Sequence, residues 1–353
     1  MRPDTVTTAE YLLDQRELDL ALNLFNHAEA EGADPDRCAA GRWMVFMLSG
    51  DFEAAWRESD AIRLRCKPDV HRFWHGEDLR GNCVLVRCLH GLGDSVQMLR
   101  FIPTLKLLGV VRVTVECAPN AAPLLRCMDG IDEVITWGSD GALVPPHFDL
   151  QVEVMELPYI LRSTIGSLGS TLGHLGLPAD LLQRAQKAVD ARSTNPCVGI
   201  VWSAGEWNLA RSIPLEQLRP ILQNSHFDFW NLQGGSVRGQ WNRVSTALHL
   251  HDLIEFTDSG LVPLAALMAQ LDLVITVDTF AAHLAGTLNV PCFLLLQYAA
   301  DWRWMVNRAD SPWYPSLRLF RQPHPQDWEG AVLEMSRTLA GWTCANCAET
   351  TAA

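Results

Sequence analysis

The most constraining feature of this chain is residues 271–296, LDLVITVDTFAAHLAGTLNVPCFLLL. Residues 273–277 are apolar with little polar alternation, the pattern of a parallel strand covered on both faces. Asp278 and Thr279 then form a polar turn, residues 280–288 have helical composition, and Pro291 precedes a second apolar run. The whole reads as a βαβ unit. Ligands in such sheets lie at the carboxyl ends of the strands, where Asp278 and Thr279 fall. The free N–H groups that open the following helix point the same way and, with the helix dipole, favour a phosphate. His283, four residues after Thr279, comes back to that helix end one turn further on. A pyrophosphate or sugar-phosphate site is the expectation. Asp278 and Thr279 equally suit a helix cap, and His283 suits a core histidine.

A chain of 353 residues is long enough for two domains and an appendage. A formal charge of -13 argues against a broad nucleic-acid surface, which needs clustered Lys and Arg. The N-terminal MRPDTVTTAEY has no apolar core of a secretory signal, and no apolar run approaches the roughly 20 residues of a spanning helix. Ten cysteines are scattered without a framework, as expected of free thiols in a reducing cytoplasm. Cys344 and Cys347 form a lone CxxC, and without a second pair no metal site is expected there.

Residues 1–70 read as helical and repeat. Leu18, Ala21, Leu22 and Ala28 align with Phe52, Ala55, Trp56 and Ile62 at a constant offset of 34, the period of tetratricopeptide helix pairs. Gly50 and Asp51 open the second copy and Pro68 ends it. So few repeats need support, so the segment is expected to pack on the domain that follows. Residues 71–190 carry strand-like runs at 83–88, 111–116, 132–136 and 148–154, with a helix over 94–108 and a polar connector over 163–194. Residues 191–325 repeat the alternation, with strands opening at Cys197, at 227–233, at 273–277, at 291–296 and at 316–321, and helices over 215–222 and 261–271. Residues 326–353 close the chain as an amphipathic helix and tail. The architecture expected is α/β, two Rossmann-like domains facing across a cleft.

Several strand ends carry residues suited to chemistry. In HGLGDSVQM, Gly91 and Gly93 permit close backbone approach, and Asp94 opens a helix. Asp94 reads either as a cap or as a carboxylate able to take a proton from an attacking hydroxyl. The spacing is not GxGxxG and no Walker lysine is present, which weakens dinucleotide and NTPase readings. After the strand at Cys197 comes the small-residue loop Ser203, Ala204 and Gly205, followed by Arg211, which suits bidentate phosphate contacts or a surface salt bridge. Gln233 ends the next strand and suits a base, a sugar or a loop carbonyl. Trp302, Trp304, Trp313 and Tyr314 form an aromatic cluster that reads as packing.

In order, GLGDSVQMLRFIPTL, VGIVWSAGEWNLARSIPLEQL, DLVITVDTFAAHLAGTLNVP and DWRWMVNRADSPWYPSLRLFRQ resemble bacterial tetratricopeptide proteins with a heptosyltransferase-like domain of glycosyltransferase family 9. The resemblance spans roughly residues 70–340. It implies a GT-B fold and sugar transfer from a nucleotide-activated donor to a saccharide or protein hydroxyl, with no metal in the chemical step and no cofactor besides the nucleotide-sugar substrate. It makes Asp94 the general base, and makes Asp278, Thr279 and His283 the element that holds the donor's sugar and diphosphate. Arg211 stands where heptosyltransferases keep a phosphate-binding lysine, and Ser203 and Ala204 stand where those enzymes often have two hydroxyl side chains. The helical repeat implies a surface for a protein partner. Two other classes fit the residues. One is a non-catalytic nucleotide-sugar or protein-binding module with a degenerate transferase domain, and the other is a sugar-nucleotide epimerase, which has no need of the helical repeat.

Overall fold

The computed structural model describes residues 4–65, 74, 77–137, 147–169, 174–193, 195–244 and 250–342. Cys344, Cys347 and Pro68 lie outside them.

Four helices come first: α1 (Thr5–Asp14), α2 (Leu18–Ala30), α3 (Pro35–Ser49) and α4 (Phe52–Arg65). They pack as two consecutive hairpins, and α2 and α4 begin at Leu18 and Phe52, the offset seen in the sequence. Ala21 and Ala55 take equivalent, fully buried places. Gly50 ends α3 in the left-handed region, φ 81°, a conformation that glycine adopts without steric cost. Arg42 lies between the helices, with Nη1 2.5 Å from Glu29 and Nη2 2.9 Å from Glu58, so buried charge joins α2, α3 and α4.

The first α/β unit has strands β1 (Cys83–Arg87), β2 (Arg112–Cys117), β3 (Glu133–Thr136) and β4 (Leu150–Glu153), all parallel, in the order β3-β2-β1-β4. The second has β5 (Cys197–Val201), β6 (Asp228–Asn231), β7 (Leu250–Asp252), β8 (Leu273–Val277), β9 (Cys292–Leu296) and β10 (Leu317–Arg321), also parallel, in the order β10-β9-β8-β5-β6-β7. Every residue of β5, β8 and β9 is buried, as their unbroken apolar runs require of central strands.

Three local expectations need correcting. The helix over 94–108 is three pieces, α5 (Leu92–Met98), a 3-10 turn and the helix Ile102–Leu107, and Pro103 opens the last of these because it cannot donate within a helix. Pro220 divides the 215–222 helix in the same way. The connector over 163–194 contains the helix Ala179–Asp190, which buries Ala185 and Val189, one turn apart, against the rest of the chain. Strand β7 had no signal, because Leu-His-Asp at a half-buried edge has no apolar run.

The helical segment packs on both α/β units, not only on the one that follows it. Trp56 donates to the carbonyl of Ser163 at 2.8 Å, while Val306 donates its N–H to Leu48 at 2.9 Å and Arg16 donates to Ala300 at 2.6 Å. Among the described residues no helix is long and apolar enough to cross a membrane.

Candidate active site

The carboxyl ends of β1 and β4 face those of β5, β6 and β8 across a cavity of about 610 Å³. Ten of the residues singled out at strand ends line it, and Ala204 does not. From the first unit come Gly91, Gly93 and Asp94, and from the second come Ser203, Gly205, Arg211, Gln233, Asp278, Thr279 and His283.

In the turn after β8 the two candidate caps divide their roles. Thr279 is the N-cap of the helix Phe280–Thr287, its Oγ1 accepting the N–H of Ala281 at 3.2 Å. Asp278 is left inside, only 5% exposed. Burial pushes its carboxyl up to about 6, reinforced by the nearby charge of Asp301 and opposed by Arg211, Trp304 and Arg303. His283 is buried too, and desolvation first, then the charges of Arg303, Arg100 and Arg211, hold it well below the usual histidine range. It is therefore a neutral hydrogen-bonding group at pH 7. Its Nδ1 lies 3.1 Å from the Tyr314 hydroxyl, and its ring stacks on Trp304 with centroids 5.4 Å apart. Gly286 makes this possible, since a Cβ there would fall 2.2 Å from the Tyr314 ring.

Arg211 closes the 3-10 segment Glu206–Arg211 at the end of the loop that follows β5. That loop is held from behind. Ser212 Oγ accepts the N–H of Ala204 at 2.9 Å and lies 3.4 Å from Ser203 Oγ. Gln233 Oε1 accepts the N–H groups of Trp202 and Ser203 at 3.1 and 2.9 Å, while its Nε2 donates to Gly234 at 3.1 Å. The carboxamide of Gln233 thus ties the loop together, with the carbonyl of Gly234 among its partners.

Asp94 both caps and faces the cleft. Its Oδ2 accepts the N–H of Gly91 at 2.9 Å, and its Oδ1 accepts from Arg303 Nη2 at 2.5 Å. Gly93 lets the units approach, because a Cβ there would meet His283 Cδ2 at 2.7 Å.

Arg303 is the main residue that sequence reading missed. It is 7% exposed and follows β9, yet it reaches into the first unit. Its Nε donates to Gln97 at 2.7 Å, Nη1 to Asp301 at 2.8 Å and Nη2 to Asp94, and its guanidinium lies 4.5 Å over the Trp302 ring. Arg100 makes a second link, with Nη1 2.5 Å from the Trp313 carbonyl and the guanidinium 4.5 Å over Tyr314. Trp304, Trp313 and Tyr314 are fully buried packing, and Trp302 sits at the cavity wall. The available signal was an arginine set inside DWRW, a segment too aromatic to be a solvated loop. Among the described residues no three His, Cys, Asp or Glu side chains are grouped to hold a metal ion.

No family model matches the sequence. Of curated proteins, Protein FlbA of Caulobacter vibrioides is similar, 24% identical over 358 residues and 93% of this chain. The chain spans 59% of that relative's length. Among solved structures, a glycosyl transferase family 9 protein from Veillonella parvula superposes with a TM-score of 0.55 at 13% identity, covering 76% of this chain and 92% of that one. E. coli ADP-heptose lps heptosyltransferase II superposes at 0.52 with 15% identity, covering 73% and 99%. The E. coli heptosyltransferase WaaC bound to ADP-2-deoxy-2-fluoro heptose also gives 0.52, at 13% identity. The fold is GT-B. The cavity described above lies between its two α/β units, a common place for a ligand pocket.

Proposed function

We propose that the protein is a glycosyltransferase that moves a sugar from a nucleotide-activated donor to a hydroxyl acceptor by a metal-independent, inverting displacement. The observation that carries this reading is the shared cavity, which brings a carboxylate of one unit, Asp94, against the phosphate-suited Arg211 and the opening of the Phe280–Thr287 helix in the other. The likeness of the fold to heptosyltransferases supports the same class.

On this reading the donor's diphosphate lies toward Arg211 and the N–H groups beyond Thr279, which offset the charge that develops as it leaves. His283, held neutral, orients a hydroxyl or phosphate oxygen by hydrogen bonding and adds no charge. Asp94 takes the acceptor's proton as the oxygen attacks the anomeric carbon on the face opposite the departing diphosphate. Arg303 holds Asp94 in place and ties closure of the units to its position. An ADP-sugar donor agrees with the two E. coli heptosyltransferases, one an ADP-heptose enzyme and one bound to an ADP-sugar, and the helical hairpins offer a protein acceptor or partner a surface next to the cleft. We place the first unit over residues 71–190 and the second over 191–325, a division that the two separate sheets support.

The rival reading, a binding module without turnover, has one observation in its favour: both Asp94 oxygens already accept hydrogen bonds, which lowers their availability to a substrate proton. Thermal unfolding across ADP-, UDP-, GDP- and CMP-sugars, with Asp278→Ala as control, tests donor binding. A ligand at 100 times its Kd should add about 2.7 kcal/mol. Asp94→Ala is expected to keep that stabilisation while transfer falls by about two to four orders of magnitude. Donor binding with no acceptor-dependent turnover in the wild type would instead establish the binding module.

A further inference from the structure

A second cavity, about 940 Å³, lies where the helical segment meets the second unit, away from the cleft residues. Its walls come from the α1–α2 turn and the start of α2 (Arg16 to Leu20), from Ser49, from Tyr298, from the segment Met305 to Arg308, from Asp310, and from Arg321 at the end of β10. Three of these residues, Arg16, Met305 and Asn307, hold left-handed backbone at φ 63°, 48° and 56° although none is glycine. Such conformations persist where surrounding structure imposes them, and they gather at ligand sites.

Two half-buried arginines point to the chemistry. Arg16 donates to the carbonyls of Leu13 at 2.9 Å and Ala300 at 2.6 Å, and Arg321 donates to those of Trp304 at 3.1 Å and Met305. Among the described residues no carboxylate lies within ion-pair distance of either, whereas Arg308 at the rim is paired with Asp310 at 2.7 Å. Arg16 Nε and Arg321 Nη1 are buried without a hydrogen-bond partner. Burial, and then the charge of Arg16, push Arg321 down to about 10 against the opposing charge of Asp278, so the two guanidiniums repel across the same space. Glu17 and Asp19 are exposed on the rim, and Asp14, Asp301 and Asp278 act on the two arginines only from beyond ion-pair distance, so the inner charge of the cavity is positive. Two such charges match a dianion better than a monoanion, and the planar guanidinium fork suits phosphate oxygens. Leu18, Tyr298 and Val306 leave an apolar wall for an organic body.

We propose that this joint is a second ligand site, which takes inorganic phosphate or a phosphate monoester between Arg16 and Arg321. Because the site bridges the helical segment and the second unit, its occupancy stiffens the joint that carries the segment. The inference is independent of the reading of the cleft.

The test is calorimetric titration and thermal unfolding of the full chain with inorganic phosphate, with chloride and acetate at matched ionic strength as controls. A saturable, one-to-one phosphate response is expected, retained when the cleft is altered by Arg211→Gln. In Arg16→Asn, which removes the charge yet tolerates the left-handed backbone, affinity is expected to fall about tenfold or more, the loss of one charge-assisted hydrogen bond. If Arg16→Asn fails to fold by circular dichroism, the surface variant Arg308→Gln decides, with several-fold weakening expected from reduced attraction at the rim. The proposal is overturned by no saturable response in the wild type, by an equal response to acetate, by a response lost in Arg211→Gln and kept in Arg16→Asn, or, where Arg308→Gln decides, by unchanged affinity.

Discussion

Two strand-to-helix turns face each other across the cleft, and they solve the same problem differently. After β1, one carboxylate does everything: Asp94 closes the turn onto Gly91, pairs with Arg303 and meets the cavity, with its side chain 27% exposed. After β8 the tasks are separated, since Thr279 caps the helix and Asp278 is free to be buried beside it. The first carboxylate is paired with an arginine. The second has its charge opposed by the protein around it, which raises its proton affinity. A cap alone would be satisfied by either turn, and the buried, disfavoured charge of Asp278 is what supports the donor-binding role proposed for the second.

That contrast can be broken at several points, apart from the large loss of transfer expected of Asp94→Ala. Arg303→Leu should have the largest effect on stability. It leaves Gln97, Asp94 and Asp301 without their shared donor, and breaking such a buried network costs about 3 kcal/mol, the low end of the usual range because both carboxylates reach solvent. Urea unfolding reads this directly, and a loss under 1 kcal/mol would mean that Arg303 is not the tie between the units.

Asp278→Asn should act in the opposite direction. Below the ordinary value of 3.8 the carboxyl is protonated folded or unfolded, so burial has no charge to oppose. Between 3.8 and about 6 the folded state alone keeps the proton, and stability falls as pH rises. Above 6 the whole penalty is present. The variant should therefore be more stable than wild type by about 2–3 kcal/mol at pH 8 and equal to it near pH 4, as two pKa units at 1.36 kcal/mol each imply. A pH-independent difference would refute the burial argument.

Gly93→Ala sharpens the contact between the turns. Its Cβ would press on the His283 ring, which is wedged against Trp304, and overpacking of this kind costs about 1–3 kcal/mol. Donor affinity measured by calorimetry should fall with it. The smallest effect belongs to Thr279→Ala, which removes a cap worth about 1 kcal/mol while the buried charge of Asp278 stays in place. A larger loss of donor binding than of stability would give Thr279 a ligand contact as well.

Much of the fold was legible because its signals are local. The unbroken runs at β5, β8 and β9 announce central parallel strands, and the offset between Leu18 and Phe52 announces paired helices. Strand β7 escaped because an edge strand needs no apolar run, and the helix Ala179–Asp190 was hidden in a segment whose exposed face is polar. The candidate residues at strand ends were legible for a topological reason: in parallel sheets the carboxyl ends share one edge, so residues far apart in sequence meet there.

The sequence by itself determined the two parallel sheets, the helical hairpins before them and the glycine, carboxylate and histidine types at the cleft edge, since burial period and turn chemistry are properties of short stretches. Only the tertiary structure decided which groups are charged and what they hold. Arg303 meets Asp94 across 209 residues of chain, and no pattern within DWRW reports that partner. The neutral state of His283 likewise follows from arginines contributed by both units and from the loss of water around it, which exist only once the units have closed on each other.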